Sequence, residues 1–134
     1  MNRTHLEGAA EALAAQQGYA FHTGPEDGMA HTVRSCPAAW LAPLELHAVE
    51  GCGHGRATYD MTLHLLSSGA RLSPTERRAA LARMEEQLLE IFAALSLDER
   101  VLAVEGLSVR PRAFALTPHG EISQTAAARI VTFF

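Results

Sequence analysis

The sequence contains no lysine: all 11 of its basic residues are arginine, and they are spread along the chain at a formal net charge of −4. A nucleic-acid binder concentrates positive charge on one face, so this distribution argues against that class of partner. Using arginine alone fits a GC-rich genome; it also leaves forked donors that suit carboxylates at an interface. Cysteine is scarce. Cys36 and Cys52 are too few for a disulfide scaffold and are expected to be free thiols in a reducing compartment. Long apolar runs are missing as well, and nothing approaches the roughly 18 uninterrupted apolar residues of a membrane span. The opening Met1-Asn2-Arg3-Thr4-His5 lacks the apolar core of a signal peptide, which makes the cytoplasm the expected location and a membrane partner unexpected.

Familiar motifs are absent too. There is no Walker loop, no G-x-G-x-x-G and no G-x-S-x-G. The glycine-rich Gly51-Cys52-Gly53-His54-Gly55 precedes a strand pattern rather than a helix, so it lacks the dipole and N–H array that hold a phosphate.

What is present describes a folding unit. With 134 residues, 48% hydrophobic and 19% charged, the chain fits one globular domain over residues 1–134. A domain of this size buries about two-thirds of the surface its unfolded form exposes. No repeat, low-complexity stretch or linker divides it.

Thr4 and Glu7 have the spacing of a capping box, and Leu6, Ala9, Ala10, Leu13 and Ala14 follow at helical spacing until Gly18. A short, alanine-faced helix is predicted there. Tyr19 to Pro37, centred on Gly24-Pro25-Glu26-Asp27-Gly28, reads as a loose hairpin or a surface loop. The apolar Ala38 to Ala42 run ends at Pro43, which cannot donate to a ladder, so a bulge or sheet edge is expected there.

From Leu44 to Leu66 apolar residues alternate on both sides of the Glu50 to Gly55 connection, the pattern of a hairpin with one buried face. Ser73-Pro74-Thr75-Glu76 then supplies a cap, a first-turn proline and a third-position glutamate. The stripe Ala80, Leu81, Met84, Leu88, Ile91, Phe92 and Leu95 makes Ser73 to Leu95 the main core helix. Strand patterns follow at Val101–Val104, Leu107–Arg112 and Ala113–Leu116. After a turn at Thr117 to Gly120, a last strand runs from Glu121 to Phe134. The predicted class is α+β: a mostly antiparallel sheet crossed by one long helix, with a shorter N-terminal helix, in the order α-β-β-α-β-β.

Candidate chemistry is thin. Cys52 and His54, with His47 and His64 on the flanking strands, form the densest group of potential ligands, but Cys-x-His is not a zinc spacing. Alternating polar residues on a solvent face give the same set. A Cys52–histidine nucleophilic pair with Asp60 nearby would place its thiol on a flexible triple-glycine loop, poorly organised for attack. Glu85-Glu86 and Asp98-Glu99 read as solvated charge. The expectation is no catalytic residue, no metal and no cofactor.

Trp40 suits either core or edge packing or an interface anchor. Phe133 and Phe134 point to opposite faces of a strand, so one ring needs a partner outside the core. Mobility, aromatic area and unpaired edge mark Trp40, Gly51, Cys52, Gly53, His54, Gly55, Phe133 and Phe134 as interface candidates.

The element order, with its apolar Pro37 to Pro43 entry, its Tyr59-x-Met61-x-Leu63-x-Leu65 return strand, one long helix and a closing strand pair, resembles small phage and prophage tail proteins of the tail-terminator or tail-completion type. That resemblance spans Thr4 to Phe134. It implies an α+β protein without catalytic residues that oligomerises, as a ring for example, caps or joins a tail tube and meets other tail proteins. No family functional motif maps onto individual residues. The alternatives are a stand-alone cytoplasmic domain that binds a peptide or small molecule and a small enzyme using Cys52 and its histidines.

Overall fold

Helix α1 spans Asn2–Gln16 in the computed structural model, which describes residues 2–51, 53–112, 115, 117 and 120–134. It buries Leu6, Ala10 and Ala14 and starts ahead of the Thr4/Glu7 box predicted to cap it. The reason is tertiary. The Asn2 amide donates to the Thr132 hydroxyl and the Phe133 carbonyl, both at 3.1 Å, and Arg3 donates to the Leu44 carbonyl, so the first residues are held by the sheet. Gly18, at φ +87°, ends the helix as predicted. Its N–H donates to Ala15 at 3.0 Å and the Tyr19 N–H donates to Ala14 at 3.1 Å, the pair of bonds that closes a helix through a left-handed residue.

The Tyr19 to Pro37 stretch is neither a hairpin nor a plain loop. Strand β1 (Ala20–Thr23), one 3-10 turn (Glu26–Gly28) and helix α2 (Met29–Thr32) lead into β2 (Ala38–Leu41), which runs parallel to β1. The following strands are β3 (Glu45–Glu50) and β4 (Arg56–Ser67). Helix α3 (Pro74–Leu95) then precedes β5 (Val101–Pro111) and β6 (Ile122–Phe133).

The six strands form one sheet in the order β1-β2-β4-β6-β5, antiparallel except for β1–β2, with β3 also paired to β4. Both β2 and β3 lie along the same side of β4, β2 beside Leu63–Leu66 and β3 beside its first half. The step between them falls at Ala42-Pro43-Leu44, where the sequence predicted a break.

Helix α3 begins as predicted. The Glu76 N–H donates to the Ser73 hydroxyl at 3.1 Å and the Ser73 N–H donates to the Glu76 carboxylate at 3.2 Å, with Pro74 in the first turn. At 1.5 Å per residue it extends about 33 Å. Its Met84, Leu88, Ile91, Phe92 and Leu95 pack on Leu41, Met61, Leu63, Leu65, Ala126, Ala128 and Ile130. The small β6 alanines let the helix sit close. The His5 ring nitrogen, 2.7 Å from Asp98, joins α1 to the end of α3.

This gives the sheet a helix face and an opposite, open face. On the open face Met29, Val33, Ala38, Trp40 and Leu66 form a small second core at one end. The predicted hairpin forms, β3 pairing antiparallel with β4; its expected buried face is found on β4, at Ala57, Met61, Leu63 and Leu65, but not on β3, which is exposed along its whole length. Helix α1 comes near it at Asn2, which shares a shallow groove with Leu46 and Val49. The two predicted runs Val101–Val104 and Leu107–Arg112 are one strand, β5, with register irregularities at Leu102 and at Gly106-Leu107; Gly106 takes φ +62°. The predicted Ala113–Leu116 run and Thr117 to Gly120 turn fall mostly outside the described residues. Among the described residues no helix is long and apolar enough to cross a membrane.

Candidate functional site

The predicted surface features converge at one corner of the sheet, where the β3–β4 connection meets the end of β6. Gly51 and Gly53 take φ of +80° and +85°, conformations that cost glycine little. Gly55 is constrained differently: a Cβ there would lie 2.5 Å from the Glu50 carbonyl oxygen and 2.6 Å from Phe134 Cζ. Its N–H donates to the Phe134 carbonyl at 3.2 Å and its carbonyl accepts the Phe134 N–H at 3.0 Å. The connection is thereby tied to the last strand.

Phe134, Leu46, Val49, Ala57, Tyr59 and Asn2 line a shallow groove of about 460 Å³ on the helix face, beside the free edge of β3. Leu46 is 50% exposed, Val49 53% and Phe134 48%. The Arg3 guanidinium carbon lies 5.4 Å from the centre of the Tyr59 ring, at the inner side of this groove. Phe133, 44% exposed, lies opposite Arg56 in the β4–β6 ladder. Gly51, Gly53 and His54 are exposed in the same connection, and Cys52 lies outside the described residues.

Two corrections follow. Trp40 is no surface anchor: it is 2% exposed in the small second core, its indole N–H donates to the Gly24 carbonyl at 2.9 Å, and His22 stacks on it at 6.1 Å. Conversely, sequence reasoning read Leu46 and Tyr59 as buried hairpin positions and set Val49 on the alternate face, whereas the register shift between Leu46 and Ala48 brings Val49 to the face of Leu46. The signal available for β3 was the pair of glutamates that bound so short a strand, a common mark of an edge.

The most organised polar group is elsewhere, under the 3-10 turn. His64, 0% exposed, has Nε2 2.9 Å from Glu26 Oε1 and Nδ1 2.7 Å from the Thr125 hydroxyl oxygen. A carboxylate only accepts, which puts the ring proton on Nε2 and makes Nδ1 the acceptor of the Thr125 hydroxyl. Burial pushes the imidazole below its ordinary range, against the opposing pull of Glu26. Hydroxyl, imidazole and carboxylate thus stand in the order of a nucleophile, its base and its orienting acid. Catalysis would also require a leaving group to collect the proton from Nδ1, and the fully enclosed ring gives it no access. The network instead fastens Glu26 and the turn around it to the sheet, with Arg112 at 3.8 Å on the outer side of Glu26.

Of the candidate ligand group, Cys52 lies outside the described residues, and the histidines on the two strands stand apart. His47 sits 3.2 Å from Asp60, whereas His64 is four residues further along β4, about 13 Å at strand rise. No cluster of three or more histidine, cysteine, aspartate or glutamate side chains suited to a metal occurs among the described residues. Glu85 and Glu86 are exposed on α3, and Asp98 holds His5. Comparison of the sequence with protein-family models and with curated proteins finds no match.

Proposed function

We propose that this chain is a non-enzymatic structural protein that works by associating with copies of itself, in the manner of the phage tail-terminator and tail-completion proteins its element order resembles. The observation that carries this reading is the corner groove. Leu46, Val49 and Phe134, each about half exposed, form one apolar strip next to an unpaired strand edge. Contiguous apolar surface of this kind marks an interaction site on a water-facing protein. The strip rests on well-packed neighbours, so it is presented by a fixed framework. The enclosure of His64 agrees with a role that needs no chemistry.

Light scattering coupled to size exclusion tests the reading across a wide concentration range. The expected result is a mass that rises from the 14.4 kDa of one chain to a defined multiple, with closed particles in electron micrographs. A mass fixed at one chain at millimolar concentration overturns it. In that outcome the same groove and open edge would suit an extended peptide added as a further strand.

A further inference from the structure

Besides β1 and β3, the sheet has an open edge on its far side at β5, and the β3 and β5 edges differ in charge. Among the described residues β3 pairs only with β4, and β5 only with β6. β3 begins and ends in exposed glutamates, Glu45 opposite Asp60 and Glu50 opposite Arg56. β5 finishes with exposed Arg110 opposite Thr125, and Arg112 follows it. Among the described residues no ion pair involves Glu45, Glu50 or Arg110, and Arg112 reaches Glu26 only at 3.8 Å. The ladder places Glu45, Glu50 and Arg110 on the open face, and Leu46, Val49 and Val109 on the helix face.

Pairing like edges is therefore disfavoured. β3 against β3 sets glutamates beside glutamates and β5 against β5 sets arginines beside arginines, and like charges across adjoining strands destabilise a sheet. β3 against β5 brings opposite charges together on the open face and apolar side chains together on the helix face. We infer that copies of this chain join head to tail, the acidic β3 edge of one adding to the basic end of β5 on the next. This inference rests on the self-association proposed above and supplies its interface. Joining two unlike edges leaves one of each free on every pair, so the contact repeats until a ring closes or a filament grows. The register shift at His47 and the irregularity at Gly106-Leu107 restrict the paired run to a few residues. Bulges of that kind protect an edge from unlimited pairing and leave the side chains to set the partner.

Charge-swap complementation tests this. One variant carries Glu45→Arg with Glu50→Gln, which avoids a second guanidinium beside Arg56; the other carries Arg110→Glu with Arg112→Gln, which avoids a new carboxylate beside Glu26. Circular dichroism matching wild type establishes that both fold. Each variant alone should raise the concentration for half-assembly at least about tenfold, and an equimolar mixture should return it to within about threefold of wild type, with the two variants alternating. Wild-type assembly that both variants retain overturns this interface while self-association stands. Loss of assembly in each variant without rescue in the mixture overturns the head-to-tail pairing. A wild-type chain that never associates overturns both.

Discussion

The two strands that share one side of β4 make an instructive pair. β2 has β1 as its outer neighbour and is buried on both faces: Ala39 and Leu41 lie in the helix-face core, Ala38 and Trp40 under Met29 and Val33. β3 continues the same line and among the described residues pairs only with β4, and all six of its residues are exposed. Apolar side chains occupy both strands. Which of them are buried is decided by cover supplied from distant parts of the chain, and β3 is left with apolar area that the monomer does not use.

Truncation should separate the two strands sharply. Replacing Trp40 with alanine removes the largest side chain of the second core and the bond to Gly24, and should cost about 3–5 kcal/mol. Urea unfolding followed by circular dichroism would read this as a lower midpoint. A cost under about 1 kcal/mol would mean that the cap is dispensable and that the contrast with β3 is false.

How much of this was legible in the sequence follows from the range of each cause. Helix α3 was readable to the residue because its cap, its first-turn proline and its stripe are all local. β4 was readable because apolar and polar residues alternate from Ala57 to Leu65, and β6 because Ile122, Ala126, Ala128 and Ile130 recur at even spacing on one face. β1 was not, since a four-residue strand exists only through its parallel ladder to β2. The start of α1 was misplaced because bonds to Thr132 and Phe133, more than 120 residues away, outcompete a local box. At the corner, Gly55 and Phe134 were legible as unusual residues; their contact and the exposure of Leu46 and Val49 depend on tertiary placement.

The next largest effect belongs to the open corner. Gly55→Ala forces a methyl against the Glu50 carbonyl and the Phe134 ring, and overpacking of this kind should cost about 1–3 kcal/mol. It would also displace Phe134, so under the proposed self-association a variant that loses little stability should still assemble less well. Measuring both by urea unfolding and light scattering separates the two consequences. Unchanged values for both would show that the ring moves freely and that the groove has no fixed shape.

Under the cap, pH provides the lever. The unfolded chain takes up a proton on His64 near the ordinary value of 6.5, and the folded chain does so only at lower pH because the ring is buried between Glu26 and Thr125, with Arg112 beyond. Between those two points the unfolded state binds more protons, so stability falls as pH drops, by up to about 1.4 kcal/mol per pH unit for one group. The loss levels off once the folded ring is also protonated. His64→Gln keeps a donor toward Glu26 and should flatten this part of the stability profile; an unchanged slope would assign it to another group.

The smallest effect on folding should come from the residues proposed to line the joint between copies. Leu46→Ser with Val49→Ser removes apolar side chains that already face water, and exposed positions of this type change stability by about 0.5 kcal/mol or less. Strand propensity works slightly against serine at both places, which sets the direction of that small change. Association is the contrasting readout. If these side chains line the joint between copies, the variant should remain a 14.4 kDa species at concentrations where wild type assembles, with an unfolding midpoint close to wild type. A large stability loss would mean that β3 contributes to the monomer core after all. Full assembly with both serines in place would show that the strip is not part of the joint. If Trp40→Ala lowers stability and this pair lowers association alone, the two variants assign the apolar residues of neighbouring strands to different jobs.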